Sequence, residues 1–382
     1  MKHRLRSVAL DSLCDIEYGT RVTRKRDAGS EYPVYGGGGK TFYIDKFNRE
    51  SVFIVSRFGM SENCTRFVSG KFFLNDSGLS LSSKKEYNLL NDFLGYQLLH
   101  RSKDIYNLGR GTAQKNLDVK NFRKMKFKFI DSLDEQKRIV KKLDTCMERV
   151  EKAIQNVEQN IQNAEDLFQS KLNEMLSQEG DDWTIKNLGE VCTMIKRGIA
   201  PKYIDGDDGL TVINQKCIRN HKVDFSLSRK HNNDAKPVNI ERIIIEGDVL
   251  VNSTGVGTLG RVAQIINLPK ERATIDTHVT VLRPKPKFFV LKYFGFAIIN
   301  LEKQIQKSGQ GSSGQTELSR LKLQNNFSIR FPLSIEKQNE IAINSAKIKS
   351  DTKKLQYNYQ QELDALDKLK QSILEKAFNG EL

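Results

Sequence analysis

One long segment occurs twice in the sequence, and this duplication restricts the possible folds more than any other feature. The segment that begins at Ser132 and ends at Gln178 reappears from Ser334 to Asn379 at a constant offset of 202, without a gap. Neither copy contains glycine or proline, and apolar residues recur in steps of three and four, as on a helix with a narrow buried stripe. The sequence therefore predicts two helices of about 45 residues, each about 65 Å long at 1.5 Å per residue.

A helix with such a stripe must bury it against another element, and the other copy is the simplest partner. We therefore expect the two helices to form an antiparallel coiled coil. The competing interpretation is two long surface helices, each packed only on its own domain. The predicted seam consists of Ile139, Leu143, Val150, Val157, Ile161, Ile341, Ile348, Leu355, Leu363 and Leu366.

A globular segment of similar length precedes each helix. Both segments contain short β-prone runs separated by Gly, Ser and Asn turns, with one shorter helix expected near residues 89–100 and another near 288–304. The predicted fold class is thus α+β, with two strand-rich domains separated by the two long helices. The expected divisions are 1–131 for the first domain, 132–180 for the first helix, 181–331 for the second domain and 332–382 for the second helix.

The net charge of +15 is concentrated in the two domains. Residues 1–131 carry 24 Lys and Arg against 14 Asp and Glu, whereas residues 132–180 carry 7 against 10. The second domain is also basic, and the second helix is neutral. This distribution is typical of two polyanion-binding domains joined by protein-binding helices.

Several functional classes are disfavoured by composition. The five cysteines form no CxxC pair and only five histidines are present, so a metal centre or a disulfide framework is not expected. The basic N-terminus lacks a signal-peptide core, and no apolar run could span a membrane. We therefore expect a cytoplasmic protein that does not associate with membranes.

Two glycine-rich motifs resemble nucleotide-binding loops but lack the required context. GGGGKT at residues 36–41 precedes FYID, which favours a strand where a helix is needed. GVGTLG at residues 255–260 precedes an alternating segment, which indicates the return strand of a hairpin. No nucleophile elbow, HExxH motif or base-flipping Asn-Pro-Pro tetrapeptide occurs, so no catalytic residue is predicted.

The functional class that remains after these exclusions is recognition of a polyanion. Arginine can pair with guanine, Asn and Gln with adenine, and lysine mostly holds phosphate. The glycine-rich polar loops at 108–117 and 308–318 end the two domains at matched positions, where exposed binding residues are expected. The candidate DNA-binding residues are Arg21, Arg24, Lys25, Arg26, Lys40, Arg57, Asn63, Arg110, Gln114, Lys115, Lys196, Arg197, Lys202, Asn214, Gln215, Lys216, Asn252, Thr258, Arg261, Gln310, Ser313 and Gln315.

Five stretches, together with the duplicated layout, resemble the DNA specificity subunit of type I restriction-modification systems. They are YPVYGGGG (32–39), GTAQKNL (111–117), LDEQKRI (133–139), GDVLVNSTGVGTLGRVA (247–263) and LEKAFNGEL (374–382). The resemblance covers essentially the whole chain. It implies two target recognition domains, each reading one half of a split double-stranded DNA site. It also implies two methyltransferase subunits on the helices, carrying S-adenosylmethionine, and two restriction subunits that use ATP.

Under this interpretation the chain is a non-catalytic specificity subunit that contributes to DNA methylation and phage defence. The helices would space the half-sites by about one DNA turn, roughly 34 Å, and the dissimilar domains would read an asymmetric target. Two alternatives remain open at this point: a coiled-coil protein-binding adaptor without DNA recognition, and an enzyme acting at the glycine loops.

Overall fold

The computed structural model describes residues 6–112, 114–206, 208–268, 271–309 and 317–382. The chain divides into two compact units: unit 1 comprises residues 1–159 and 359–382, and unit 2 comprises residues 160–358. The two long helices are α6 (Leu133–Leu176) and α10 (Ile335–Asn379), and each contributes residues to both units. The α+β fold with two long helices, predicted from the sequence, is confirmed.

Unit 1 is built on a six-stranded mixed sheet with the order β2-β7-β5-β6-β3-β4, and the antiparallel pairs β1–β10 and β8–β9 lie outside it. Its strands are β1 (Arg6–Ala9), β2 (Cys14–Tyr18), β3 (Tyr32–Gly36), β4 (Gly39–Ile44), β5 (Arg49–Ser56), β6 (Thr65–Leu74), β7 (Gly78–Ser83), β8 (Gly109–Arg110), β9 (Asn116–Leu117) and β10 (Lys126–Phe129). Its shorter helices are α1 (Leu10–Leu13), α2 (Arg24–Asp27), α3 (Asn91–His100), α4 (Ser102–Asn107) and α5 (Val119–Lys124).

Unit 2 contains two four-stranded sheets, with the orders β12-β21-β18-β19 and β13-β17-β14-β20, and the antiparallel pairs β11–β22 and β15–β16. Its strands are β11 (Trp183–Asn187), β12 (Cys192–Arg197), β13 (Tyr203–Ile204), β14 (Leu210–Ile213), β15 (Ile218–Arg219), β16 (Lys222–Val223), β17 (Arg229–His231), β18 (Val249–Asn252), β19 (Val262–Gln264), β20 (Ala273–Ile275), β21 (Val279–Pro284) and β22 (Ser328–Pro332). Its shorter helices are α7 (Leu188–Val191), α8 (Leu291–Ser308) and α9 (Arg320–Asn326).

The secondary structure at the two glycine motifs agrees with the sequence interpretation. The GGGGKT motif forms the turn between β3 and β4, and GVGTLG connects the antiparallel strands β18 and β19. Neither motif opens a helix, as a nucleotide-binding loop would require. The shorter helices expected near 89–100 and 288–304 are present as α3 and α8.

The long helices pack against each other within each unit, and they run antiparallel there. In unit 1, Arg138 donates a hydrogen bond to the carbonyl of Leu382 at 2.6 Å, and Glu151 lies 3.7 Å from the Lys370 ammonium. A residue further along α6 thus contacts a residue with a lower number in or after α10, as expected for an antiparallel pair. In unit 2, the side chain of Gln356 donates to Glu165 at 3.2 Å.

Both helices also cover the core of the domain beside them. In unit 1, Ile139 and Leu143 of α6 share one apolar cluster with Leu374 and Phe378 of α10 and with the sheet residues. In unit 2, Phe168 and Leu172 share a cluster with Ile341. Each helix therefore packs on both the other helix and a domain, so the two interpretations considered for the sequence each describe part of the packing.

Most predicted seam residues lie on the inner face of the helices, but one does not. Ile139, Leu143, Val150, Val157 and Ile341 are buried, and Ile161, Ile348, Leu363 and Leu366 are half-buried. The prediction for Leu355 is wrong, because its side chain is 42% exposed. The inner face of α10 passes through Ser345, Thr352 and Gln356 instead, and a search for apolar periodicity does not detect such polar positions.

A buried glutamine lies in the first turn of each long helix, and the two glutamines make equivalent hydrogen bonds. In unit 1, Gln136 donates to the carbonyls of Asn88 and Ile130 at 2.7 and 2.6 Å and accepts from the amide of Leu90 at 2.8 Å. In unit 2, Gln338 makes the same three bonds to Phe288 (2.9 Å), Pro332 (2.8 Å) and Val290 (2.9 Å). Each glutamine thus joins the start of a long helix to the preceding strand and to the start of α3 or α8.

Candidate nucleic-acid interface

In unit 1, two polar loops come together at the end of β5. We call them loop pair 1, formed by residues 57–63, 110–112 and 114–117. The amide of Met60 donates to the carbonyl of Lys115 at 3.0 Å, and the amide of Leu117 donates to the carbonyl of Arg57 at 2.8 Å. Gly59 has a φ of +59°, and a β-carbon there would lie only 3.0 Å from Nε2 of Gln114. Four predicted residues, Arg57, Asn63, Gln114 and Lys115, therefore lie on one small surface.

The glycine turn between β3 and β4 adjoins loop pair 1. A β-carbon on Gly37 would lie 2.1 Å from the carbonyl oxygen of Phe58, so the close approach requires glycine. Arg66 of β6 donates to the carbonyls of Gly37 and Asn63 at 3.2 and 3.3 Å. Arg66 was not among the predicted residues, because the pairing of β5 with β6 that brings it beside these loops is seen only in the structure.

Arg57 is held between aromatic rings. Its guanidinium carbon lies 4.2 Å from the ring centre of Phe58 and 5.0 Å from that of Tyr18, and its Nη1 donates to the carbonyl of Asp76 at 3.0 Å. Tyr18 is 48% exposed. The edge of a guanidinium packed on aromatic rings can pair with the edge of a nucleobase, and an exposed ring such as that of Tyr18 can stack on one. Tyr18 and Phe58 were not among the predicted residues, because only their packing shows the association.

The other basic residues predicted for unit 1 have different surroundings. Lys115 lies over the Tyr106 ring at 4.0 Å, and Lys40 lies over the Tyr43 ring at 5.4 Å. Arg110 forms an ion pair with Asp118. Arg21, Arg24, Lys25 and Arg26 are exposed on or beside α2, a segment separate from loop pair 1.

The short helix α2 is held by a local charge arrangement. The amide of Thr23 donates to Asp27 at 2.8 Å, and Arg26 lies 3.2 Å from the same carboxylate. These two contacts, the Thr23 hydrogen bond first, lower the pKa of Asp27. The carboxylate thus neutralises part of the charge on Arg26, whereas Arg21, Arg24 and Lys25 have no ion pair among the described residues.

Unit 2 contains a corresponding arrangement, loop pair 2, whose described residues are 253–261, 309 and 317–318. The amide of Leu318 donates to the carbonyl of Ser253 at 2.9 Å, which matches the bond between Leu117 and Arg57 in unit 1. Gly255 has a φ of +109°, and a β-carbon there would lie 2.2 Å from Oε1 of Gln215. Residues 310–316 lie outside the described residues, and the predicted Gln310, Ser313 and Gln315 are among them.

Two predicted residues of unit 2, Gln215 and Thr258, meet at Gly255, and a third, Arg261, contacts Gly257. The hydroxyl of Thr258 donates to Oε1 of Gln215 at 3.3 Å, and Arg261 donates to the carbonyl of Gly257 at 3.0 Å. All three side chains are half-buried at the edge of loop pair 2. They present amide, hydroxyl and guanidinium groups, which can read base edges or hold phosphate.

The predictions for Asn214 and Asn252 as base contacts are wrong. Asn252 is 0% exposed, and its Nδ2 donates to the carbonyls of Gln215 and Thr258 at 3.0 and 3.1 Å. Asn214 is also buried, donates to the carbonyl of Leu227 at 3.0 Å and accepts from the amide of Lys216 at 2.8 Å. Their amides are used to hold the loops that carry Gln215 and Thr258, so they are not available to DNA.

The remaining predicted residues of unit 2 lie in different surroundings. Arg197 is half-buried, pairs with Glu317 at 2.5 Å and donates to the carbonyl of Leu318 at 2.9 Å, so it supports the end of loop pair 2. Lys196 lies 4.0 Å from Glu241. Lys202 and Lys216 are exposed.

The described part of the chain contains neither a membrane-spanning helix nor a cluster of metal ligands. No helix there is long and apolar enough to cross a membrane. No group of three or more His, Cys, Asp or Glu side chains there could hold a metal ion.

Comparison with known proteins identifies the family. The family model of the type I restriction modification DNA specificity domain matches residues 5–159 and again residues 180–363. No curated protein matches the sequence.

One solved structure shares the fold, and a second aligns with a lower TM-score. A chain in a structure described as the structural basis underlying complex assembly and conformational transition of the type I R-M system aligns with a TM-score of 0.69. The identity is 18%, and the alignment covers 100% of both chains. The type I restriction-modification S subunit from M. genitalium aligns over 99% of this chain and 96% of its own, at 19% identity and a TM-score of 0.45. With both copies of the domain matched over most of its length, the chain belongs to the type I restriction-modification DNA specificity family, and its role is in DNA specificity.

Proposed function

We propose that this chain is the non-catalytic subunit that gives a type I restriction-modification complex its DNA sequence specificity. Unit 1 reads one half of a bipartite duplex target and unit 2 reads the other half. Two methyltransferase subunits dock on the long helices and supply S-adenosylmethionine chemistry. Two restriction subunits that use ATP complete the full complex.

The observation that carries this proposal is the chemical difference between two equivalent loop pairs. The matched hydrogen bonds from Leu117 and Leu318 make Arg57 of unit 1 equivalent to Ser253 of unit 2. Arg57 presents a guanidinium between aromatic rings, whereas Ser253 is buried. Equivalent backbones that carry different side chains read different bases, so the two half-sites differ and the target is asymmetric.

Base and phosphate contacts divide according to residue type. In unit 1, we assign the reading of base edges to Arg57 and Gln114, because both belong to loop pair 1 and their side chains carry hydrogen-bond donors. In unit 2, Gln215 and Thr258 take that role. Exposed cations, such as those on α2, hold the phosphate backbone and contribute affinity without sequence preference.

Docking of partner subunits is supported by apolar side chains on the outer faces of the long helices. In unit 2, Leu167, Ile343 and Tyr357 are 50%, 68% and 65% exposed, and Leu355 on another part of the α10 surface is 42% exposed. Such side chains gain free energy when a partner removes them from water, at about 25 cal/mol per Å². The exposure of Leu355 is thus consistent with a place at a partner interface.

The proposal can be tested by mapping DNA methylation. The chain would be co-expressed with its methyltransferase subunit in cells without other methylation, and modified bases would be located by long-read sequencing. We expect one motif with two unequal halves separated by unspecified bases. Gln114→Ala should relax the bases of one half only, and Gln215→Ala those of the other half only.

The two variants control for each other, because each leaves the opposite unit unchanged. A continuous motif, or one substitution that alters both halves, would contradict the assignment of one half-site to each unit. A chain that binds its partner but shows no salt-dependent affinity for duplex DNA would instead be an adaptor.

A further inference from the structure

Unit 2 contains a cleft of about 1060 Å³ next to loop pair 2. It lies between α8, α10, the 160–176 part of α6, and the β15–β16 hairpin. Thr258 and Arg261 of loop pair 2 also line it, so the cleft continues from the surface proposed to contact DNA. Its other cationic lining residues are Arg219, Lys222, Lys349 and Lys353.

The carboxylates of the cleft are already engaged. Glu302 accepts from the amide of Val262 at 3.0 Å and lies 3.1 Å from Nε2 of His221. Glu165 accepts from Gln356 at 3.2 Å. Within the described residues, none of the ammonium groups of Lys222, Lys349 and Lys353 has a carboxylate oxygen within 4.0 Å, so Glu165 and Glu302 offset the positive charge of the cleft only in part.

The three lysines also lie close to one another. Burial lowers the pKa of Lys349 to about 8, and the charges of Lys353 and Lys222 add to the effect against the smaller opposing influence of Glu165 and Glu302. The pKa of Lys353 is lowered too, first by burial and then by Lys222. Like charges gathered in a partly buried cleft repel each other, and a bound anion would remove that repulsion.

Comparison with the first copy shows that the helix packing does not require these lysines. At the offset of 202, Lys349 corresponds to Met147 and Lys353 to Glu151. Met147 is buried in the core of unit 1, and Glu151 pairs with Lys370 at 3.7 Å. The first copy thus has an apolar and an acidic side chain where the second has two cations.

We propose that this cleft binds phosphate groups, held by Lys222, Lys349 and Lys353 with the two arginines at its edge. Lysine acts on phosphate as a compact point charge, and arginine can grip two of its oxygens at once. The phosphate comes either from the backbone of the DNA that contacts loop pair 2 or from a free polyphosphate. The DNA source rests on the function proposed above, and the free source does not.

The full-length chain can test both sources with one pair of variants. Lys349→Met with Lys353→Gln removes the two cleft charges, and Met already occupies the corresponding position in the first copy. Lys347→Gln with Lys354→Gln removes two exposed charges from the same helix and is the matched control. Both proteins should keep the wild-type far-UV circular dichroism spectrum.

In the DNA arm, affinity for duplex would be measured by fluorescence anisotropy at several salt concentrations. The logarithm of the binding constant falls with the logarithm of the salt concentration, with a slope of about −0.9 for each phosphate contact. The slope of the cleft variant should therefore be less steep than that of the wild type by about 1 to 2. The control should differ from the wild type by less than half of that. In the second arm, pyrophosphate should raise the melting temperature of the wild type and the control but not of the cleft variant.

The outcomes separate the inference from the proposed function. A change in the DNA arm identifies DNA as the source, and a change in the pyrophosphate arm alone identifies a free polyphosphate. If the cleft variant equals the control in both arms, the inference is overturned while the proposed function stands. If the wild type does not bind duplex at all, the proposed function fails, and the pyrophosphate arm still decides whether the cleft binds phosphate.

Discussion

The buried glutamine of unit 2 provides the most direct test of how the duplicated architecture is held together. Replacing Gln338 with methionine keeps the side-chain volume nearly unchanged and leaves no large cavity. It removes three hydrogen bonds to main-chain atoms of Phe288, Val290 and Pro332. Because Gln338 is 0% exposed, water cannot replace them without rearrangement.

The magnitude follows from those three bonds. A hydrogen bond contributes about 1 kcal/mol net, and a buried amide left without a partner costs about 1–3 kcal/mol. Two of the three orphaned groups are carbonyls, which tolerate the loss of one partner better than an amide does. We therefore expect Gln338→Met to lower the free energy of unfolding by about 3 kcal/mol.

Urea denaturation followed by tryptophan fluorescence measures the loss of unfolding free energy in unit 2, the unit that contains Gln338. The chain has a single tryptophan, Trp183, which lies in unit 2 with its ring centre 5.3 Å from the Lys337 ammonium. At a slope of roughly 3 kcal/mol per molar urea, the midpoint should fall by about 1 M. Gln371→Met, at an exposed position on the same helix, should leave the midpoint within experimental error.

The equivalent substitution Gln136→Met gives a second control. It removes the same three bonds in unit 1, where there is no tryptophan, so far-UV circular dichroism should report a loss of similar size. A loss below about 1 kcal/mol for Gln338→Met, no greater than for Gln371→Met, would refute the argument that these bonds join the helix to its domain.

Three further predictions concern charge and burial. Asp248 is 0% exposed and accepts two hydrogen bonds from Arg283, both at 2.8 Å. Asp248→Asn should therefore lower the free energy of unfolding by about 3–5 kcal/mol, because it leaves the guanidinium without a carboxylate partner. An unchanged melting temperature would contradict this. Val157 is 4% exposed, so Val157→Lys should lower the thermal midpoint clearly, whereas Glu158→Lys at the exposed neighbouring position should not. Because a bound phosphate favours the charged form of Lys349, whose pKa is about 8, duplex affinity should be greatest below pH 8 and fall as the pH rises above it. Anisotropy at pH 7 and pH 9 checks the last prediction, and an equal fall in Lys349→Met would exclude this lysine as the cause.

Local pattern was sufficient to predict the architecture. Two glycine- and proline-free segments with apolar residues three and four apart could form only long helices, and their constant offset indicated a duplicated unit. The alternating segment after GVGTLG likewise predicted the β18–β19 hairpin rather than a nucleotide site. These features depend on neighbours within a few residues, because helix and strand periods are properties of the local backbone.

The functional surface was decided by packing between distant segments. Asn252 and Thr258 belong to one motif, yet the fold buries the first and leaves the second at the edge of loop pair 2. Residue type indicates which contacts a side chain can make, and only its surroundings decide whether those contacts are already made within the protein.

What the sequence determined by itself was therefore the two long helices, the repeated α+β domains and the basic character of those domains. What only the tertiary structure decided was which polar groups remain free to bind. The cleft of unit 2 shows the reason most clearly. Lys222 and Lys349 are 127 positions apart in the chain, and both line the cleft only because the β15–β16 hairpin folds against α10. The interaction between charged groups depends on their distance in space, and that distance is set only when the long-range contacts of the fold have formed.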